Sequence, residues 1–229
     1  MKSREENCFQ ILGIILYRLV ILSTLTVGGQ HGYSYFHPDD TSIQPKKVLK
    51  LYKYFTCITQ TLCYMYYITS ILLLLLKCKR LHGYFYLTAF AYDTTMMTVY
   101  WSAYFYDQRI ITSIEELKNM PLWYNHICHT IGLPALLLDA YLYNPQSVSI
   151  KKSMMIVFSL GAAYNFYIEM GVLRWGTCPY PEILKYGIVF RYLSYAAVWG
   201  LMSGVLLLGA EYVHYVNKQS KQNFKQHSE

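Results

Sequence analysis

Charge is scarce in this sequence: Asp, Glu, Lys and Arg make up 14% of its 229 residues, against about 25% in an ordinary soluble domain. That shortage excludes a conventional water-facing surface. The strict alternation of a lipid-facing barrel strand is also missing. Helices, which satisfy their own backbone donors and acceptors, are therefore the expected membrane-spanning element. The formal net charge of +7 is not gathered into one basic cluster with stacking aromatics, so no nucleic-acid partner is indicated. Neither a CxxC metal pair nor a disulfide framework can be read from the six scattered cysteines, Cys8, Cys57, Cys63, Cys78, Cys128 and Cys178. A sequence repeat and a second domain are likewise absent.

What the chain does have is apolar residues, 54% of the total. They fall in stretches of roughly twenty, the length a helix needs to cross about 30 Å of hydrocarbon. The expected segments are 8–27, 49–76, 84–106, 122–143, 154–173 and 188–213, followed by a polar, basic tail over 217–229 expected to be disordered. The fold class is thus all-α, a polytopic bundle of about six transmembrane helices in a single domain, with the lipid bilayer as its partner. Twenty-five tyrosines suit the headgroup boundary, where the ring is buried and the hydroxyl stays wet. The first segment, interrupted by Arg18, is too long and too polar at its centre for a secretory signal and reads as a retained helix. A polar loop is expected from Gly28 to Lys47. Six crossings place both termini on one side, and the basic residues give a narrow majority for a cytoplasmic one. The compartment, endoplasmic reticulum or plasma membrane, is not encoded legibly, and no protein partner is indicated. Cys78, between Lys77 and Lys79 at a segment end, reads equally as a palmitoylation site or a free thiol.

Polar groups inside apolar segments are costly enough to count as functional candidates. Here they are Arg18, Thr56, Asp93, Asn125, His126, His129, Asp139, Glu169 and Arg191. For Asp139, Glu169, Arg18 and Arg191 the simpler reading is pairing across the bundle. The densest cluster is Pro121-Leu122-Trp123-Tyr124-Asn125-His126-Ile127-Cys128-His129-Thr130. On a helix, His126 and His129 are three apart and share a face. That spacing fits a metal pair completed by His31, His37 or Asp39, a general base, or rings that only hydrogen-bond to neighbouring helices. A base needs a nucleophile, and no GxSxG elbow or Ser-x-x-Lys motif is present. Thr56, at the start of segment two, shares a membrane side and a shallow depth with His129. Its hydroxyl would otherwise bond back to the carbonyl of Tyr52. The residues alone leave these readings open.

The same block, with Pro134, resembles the P-x-W-L-N-H-x-x-H-T-x-x-x-P signature of the androgen-induced and androgen-dependent TFPI-regulating family of membrane proteins. Members of that family are threonine hydrolases of fatty acid esters of hydroxy fatty acids. Tyr52-Lys53-Tyr54-Phe55-Thr56 is similar to the family's W-K-[YF]-[LM]-T, and Tyr100-Trp101-x-x-Tyr104-x-Tyr106-Asp107 to its F-W-x-x-Y-x-Y-[DN]-R. Arg174-Trp175 with Tyr180-Pro181 echoes W-V-Y-P, and Leu208-Gly209-Ala210-Glu211 echoes L-L-G-E. The matches keep their order over most of the chain. Tyr52, Tyr124 and Ala91 depart from the family's Trp, Leu and Pro. The resemblance implies Thr56 as nucleophile and His129 as the other catalytic residue, with Asn125, His126, Trp123 and Tyr52 around the substrate. It calls for no metal and no cofactor. The implied activity is hydrolysis of a lipid ester through an acyl-threonine intermediate. A non-enzymatic multipass protein or a histidine metal site is the alternative.

Overall fold

The structure, a computed structural model, describes residues 2–36, 52, 54–110, 121–176, 178–180 and 184–226. Everything regular among them is helical: α1 (Lys2–Phe36), α2 (Phe55–Leu75), α3 (Lys79–Tyr106), a short 3₁₀ turn (Gln108–Ile110), α4 (Leu122–His129), α5 (Gly132–Tyr143), α6 (Ile150–Trp175) and α7 (Gly187–Gln226). The chain therefore has the all-α class expected of it. Stretches long and apolar enough to cross a membrane lie in α1, α2, α6 and α7, at Phe9–Ser34, Phe55–Leu75, Ile150–Trp175 and Gly187–Ser220. These make it an integral multipass membrane protein.

Two of the six expected crossings fall short of that measure, for different reasons. α3 has 28 residues, long enough to cross but too polar. It is the central helix, packed against α2, α4, α5, α6 and α7. Its Tyr86, Thr88, Tyr92, Asp93 and Thr95 are buried in protein, while Leu81, Phe85, Val99 and Phe105 are exposed, so the polar residues that lower its hydropathy never meet lipid. The fourth segment, expected as one helix over 122–143, is instead two short ones, α4 and α5.

Pro134 explains the break. A proline lacks the N–H that would bond the carbonyl four residues back, and its ring crowds that carbonyl. Thr130 is the residue concerned, and its backbone leaves the helical region (φ −132°, ψ −43°). The chain restarts at Gly132 with the proline inside the first turn of α5, where the missing donor costs nothing. At the break α3 supplies one donor: the Trp101 indole N–H meets the His129 carbonyl and the Thr130 hydroxyl, both at 3.1 Å. Gly132 is required there because a Cβ would overlap the Asp93 carboxylate of α3. Gly132→Ala is accordingly expected to destabilise the protein by about 1–3 kcal/mol, the usual cost of forcing an extra carbon into a packed site. A melting curve in detergent checks this, and an unchanged midpoint would mean that α3 and α5 approach less closely.

Helix ends also differ from the sequence reading. α1 runs on to Phe36, so residues 28–36 of the expected first loop are helical, while 37–47 lie outside the described residues. α2 starts at Phe55 and not near Leu49, a position also outside them. Between α2 and α3 the chain turns within Leu76–Cys78, where Lys77 takes a left-handed φ of 57°. α7 continues to Gln226 through the stretch expected to be a disordered tail. Val213 and Val216 keep its inner face buried, and the Asn217 amide donates to the Pro145 carbonyl at 2.8 Å.

The pairing expected of the intramembrane charges is found: Arg18 with Asp139 at 2.8 Å and Arg191 with Glu169 at 2.7 Å. Around the first pair lies the main core, including Tyr66, Tyr67, Tyr86, Leu87, Phe90 and Leu136.

Candidate functional site

Thr56 is the second residue of α2 and His129 the last of α4, and the fold brings them together. Thr56 Oγ1 lies 3.3 Å from His129 Nε2. The threonine is half-buried and the histidine is 8% exposed, so the pair sits at the edge of the bundle with the ring inside.

Several contacts fix this meeting. The Gln60 amide, one turn along α2 from Thr56, donates to the Cys128 carbonyl at 2.7 Å and ties α2 to the end of α4. The first amide of α2, at Phe55, donates to the Tyr180 hydroxyl at 2.9 Å. One orphan N–H of the helix start is thereby satisfied from the loop before α7. Burial pushes the Tyr180 phenol up to about 12, so it stays a neutral hydroxyl at any physiological pH. The Phe55 ring packs between Tyr92 of α3 (5.9 Å between centroids) and Tyr164 of α6 (5.6 Å). On the far side of α4, Gly28 and Gly32 of α1 face Ile127 and Tyr124 so closely that a Cβ at either would collide. This glycine stripe lets α1 and α4 approach, as small residues do between membrane helices.

The His129 ring has defined partners on both nitrogens. Nδ1 lies 2.9 Å from Asn125 Oδ1 and 3.1 Å from the Asn125 backbone carbonyl. The Tyr100 hydroxyl donates to the same Asn125 Oδ1 at 2.6 Å. The Tyr100 ring also lies flat on the imidazole, with 3.4 Å between centroids and 10° between planes. A backbone carbonyl can only accept, so Nδ1 carries the proton and Nε2 presents its lone pair to Thr56. Chemically this is a hydroxyl beside an unprotonated ring nitrogen, with the ring held on its edge by a hydrogen bond and on its face by a stack.

The other residues expected around the substrate separate. Asn125 is buried and turned to His129. His126 is exposed, its Nδ1 3.1 Å from the Thr130 hydroxyl and its ring 5.4 Å from Trp101. The expectation that His126 and His129 share a face is thus corrected. Positions three apart on a helix differ by about 60°, enough at the rim of a bundle to put one ring inside and one outside. Trp123 is 47% exposed and meets the His31 ring at 4.7 Å between centroids, the planes tilted by 53°. The Tyr52 hydroxyl lies 3.0 Å from the Thr61 hydroxyl, along α2 rather than toward Thr56. Among the described residues no three His, Cys, Asp or Glu side chains are grouped to hold a metal; His37 and Asp39 lie outside them. Since His126 contacts neither Thr56 nor the His129 ring nitrogens, His126→Ala is expected to lower any Thr56-dependent activity by no more than about tenfold, under 1.4 kcal/mol of barrier. A rate assay on the purified variant measures this.

Sequence reasoning missed Tyr100, Trp101, Gln60 and Tyr180. Tyr100, Trp101 and Tyr180 stand in blocks that carried the resemblance, but nothing in their spacing tells which ring they touch. Gln60 gives no sequence signal.

These features define a helical multipass membrane protein, and comparison with known proteins places it among relatives. A family model described as FAR-17a/AIG1-like protein matches residues 15–214, and the chain belongs to that family. It is similar to the androgen-dependent TFPI-regulating proteins of Mus musculus and Rattus norvegicus, each 24% identical over 127 residues, 56% of this chain and 55% of theirs. The chain thus spans about half the length of the curated relatives it matches. No solved structure matches it.

Proposed function

We propose that this protein is an intramembrane hydrolase of lipid esters, with Thr56 as nucleophile and His129 as its base. The observation that carries this reading is the 3.3 Å approach of Thr56 Oγ1 to His129 Nε2, with the ring's other nitrogen already committed as a donor. A threonine hydroxyl is a weak nucleophile unless a base takes its proton. Here Nε2 takes it as Oγ1 bonds to the ester carbonyl carbon, and the carbonyl π pair moves onto oxygen. Collapse of that oxyanion expels the alcohol, which leaves with the proton from Nε2. Water, deprotonated by the same nitrogen, then releases the acid and restores the threonine.

First-turn amides of α2 are suited to meet the developing oxyanion. The Phe55 amide goes to Tyr180 and the Cys57 amide to the Tyr54 carbonyl; the amide of Thr56, on the same residue as the nucleophile, is the donor we assign. Substrate class follows from setting and kinship. A site at the rim of a lipid-embedded bundle receives an ester that partitions into the bilayer, and the family resemblance narrows this to fatty acid esters of hydroxy fatty acids.

Incubation of the folded, detergent-solubilised protein with a fluorophosphonate probe, then peptide mapping, tests the reading. Covalent label on Thr56 is expected. Label on another residue, or none with no turnover of a fatty acid ester of a hydroxy fatty acid, would replace it with a non-enzymatic membrane role.

A further inference from the structure

A neutral imidazole in solution exchanges between two tautomers, and only the one protonated on Nδ1 can accept the Thr56 proton at Nε2. Something in the protein must choose. The usual chooser is a carboxylate, but among the described residues none is hydrogen-bonded to His129. The atoms that meet Nδ1 are the side-chain and main-chain oxygens of Asn125, at 2.9 and 3.1 Å. Tyr100 meets the same side-chain oxygen at 2.6 Å and covers the ring face at 3.4 Å. All three side chains are at least nine-tenths buried: Asn125 is 5% exposed, Tyr100 7% and His129 8%.

We propose that Asn125 and Tyr100 are the positioning pair of this site, holding His129 in its Nδ1-protonated tautomer and in the plane that aims Nε2 at Thr56. This rests on the hydrolase reading for its consequence but not for its geometry. Asn125 thus has a different role from the substrate contact expected of it, because its side-chain oxygen is already engaged by two donors, the Tyr100 hydroxyl and Nδ1–H. The amide oxygen is orientated in turn by Tyr100, whose hydroxyl has one proton to give and gives it to Oδ1. That leaves Oδ1 no freedom to rotate away and offer its NH₂ to the ring, which would favour the wrong tautomer. A neutral amide also differs from the carboxylate of a Ser-His-Asp triad. It orientates the ring without adding a second buried charge, which suits a site at membrane depth, where an unpaired carboxylate is costly. The flat stack of Tyr100 opposes rotation about the Cβ–ring bond, the same motion that would pull Nδ1 away from the Asn125 oxygens, so edge and face hold the ring in one plane.

The test joins a rate with a direct view of the proton. In ¹⁵N-histidine-labelled protein in nanodiscs, wild-type His129 is expected to show the Nδ1–H tautomer. Asn125→Leu should retain that tautomer less completely, or lose it, and should label Thr56 with fluorophosphonate roughly a hundredfold more slowly. Asn125→Asp keeps the acceptor and is expected to restore labelling to within about tenfold of wild type. It should also move the acidic limb of the rate to higher pH, because a carboxylate beside Nδ1 favours the imidazolium. A structural role alone would not shift that limb. Tyr100→Phe keeps the stack and loses the hydroxyl, and should cost less than Asn125→Leu. An Nε2–H tautomer in the wild type would overturn the proposal, as would a folded Asn125→Leu that labels at the wild-type rate with an unmoved pH profile. If wild-type protein carries the Nδ1–H tautomer and never labels, the hydrolase reading fails and the positioning pair stands.

Discussion

Replacing Thr56 by alanine is expected to remove probe labelling and ester hydrolysis, a loss of at least about 10³–10⁴-fold, or about 4–5.5 kcal/mol of barrier. Replacing His129 by alanine is expected to cost nearly as much. The two effects should not add. Without the base the hydroxyl keeps its proton and is close to inert, and without the hydroxyl the base has nothing to activate, so the double variant should be no slower than either single one. Thr56→Ser keeps an Oγ at the same place and should retain measurable turnover. Folding has to be monitored beside activity, because His129 is buried and holds partners on both nitrogens, and a lost buried hydrogen bond can mimic lost catalysis. Thr56→Ala is the cleaner variant, since the residue is half-buried at a helix start. A well-folded Thr56→Ala with wild-type turnover of a lipid ester would remove the nucleophile from the mechanism. Additive losses in the double variant would show that the two side chains act in separate steps.

How much of this site could be read from the chain depends on what each residue does. Counting crossings only allowed Thr56 and His129 to meet, by putting the starts of the second and fourth segments on one side, and the family resemblance singled out the pair. The break in the fourth segment does not disturb the meeting, because it comes at Thr130, after His129. The role of Asn125 was not legible. A residue four positions before a histidine can face its ring, the substrate or a neighbouring helix, and only the position of Tyr100 on α3 decides. Tyr180 lies 124 residues beyond Thr56 in the chain, and no local pattern announces that its hydroxyl would meet the first amide of α2.

The fold was legible where lipid dictates it. α1, α2, α6 and α7 show themselves by apolar length because they face the bilayer. α3 carries Tyr, Thr, His and Asp inward, which lowers its hydropathy below that of the others, yet its apolar remainder was enough to place a segment at 84–106 inside the observed Lys79–Tyr106. The division of α4 from α5 was signalled by Pro134. Apolar length alone runs through such a proline, since membrane helices often tolerate one when neighbours re-satisfy the freed backbone. Here the neighbour at the break is Trp101, whose indole N–H meets the His129 carbonyl. The tail failed for the opposite reason: Asn217 and the lysines beyond it look like disordered sequence, but Val213 and Val216 still pack, and the helix is carried onward from its buried side.

The largest effect on stability is expected at Arg18 and Asp139, and it should be unequal between the two partners. Both side chains are fully buried, and the guanidinium meets the carboxylate through two atoms, Nε to Oδ1 at 2.8 Å and Nη2 to Oδ2 at 3.1 Å. Nη1 donates to the Ser70 carbonyl at 2.8 Å, Nη2 reaches His82 Nε2 at 3.1 Å, and the group lies over the Tyr143 ring at 4.8 Å. The Tyr66 hydroxyl bonds Asp139 as well. Four helices, α1, α2, α3 and α5, thus converge on one ion pair, and breaking such a pair from one side costs about 3–5 kcal/mol. Asp139→Leu leaves an arginine that cannot give up its proton, fully buried and without its carboxylate. Arg18→Met leaves a carboxylate that can take a proton and become a neutral, hydrogen-bonded acid, which softens the penalty. The expected order of melting midpoints in detergent is therefore wild type, then Arg18→Met, then Asp139→Leu, the last lower than wild type by roughly 6–20 °C. The double variant Arg18→Met with Asp139→Leu, which buries no charge, should melt above Asp139→Leu alone despite carrying one more substitution. A double variant less stable than both single ones would show that the pair matters through packing rather than through charge.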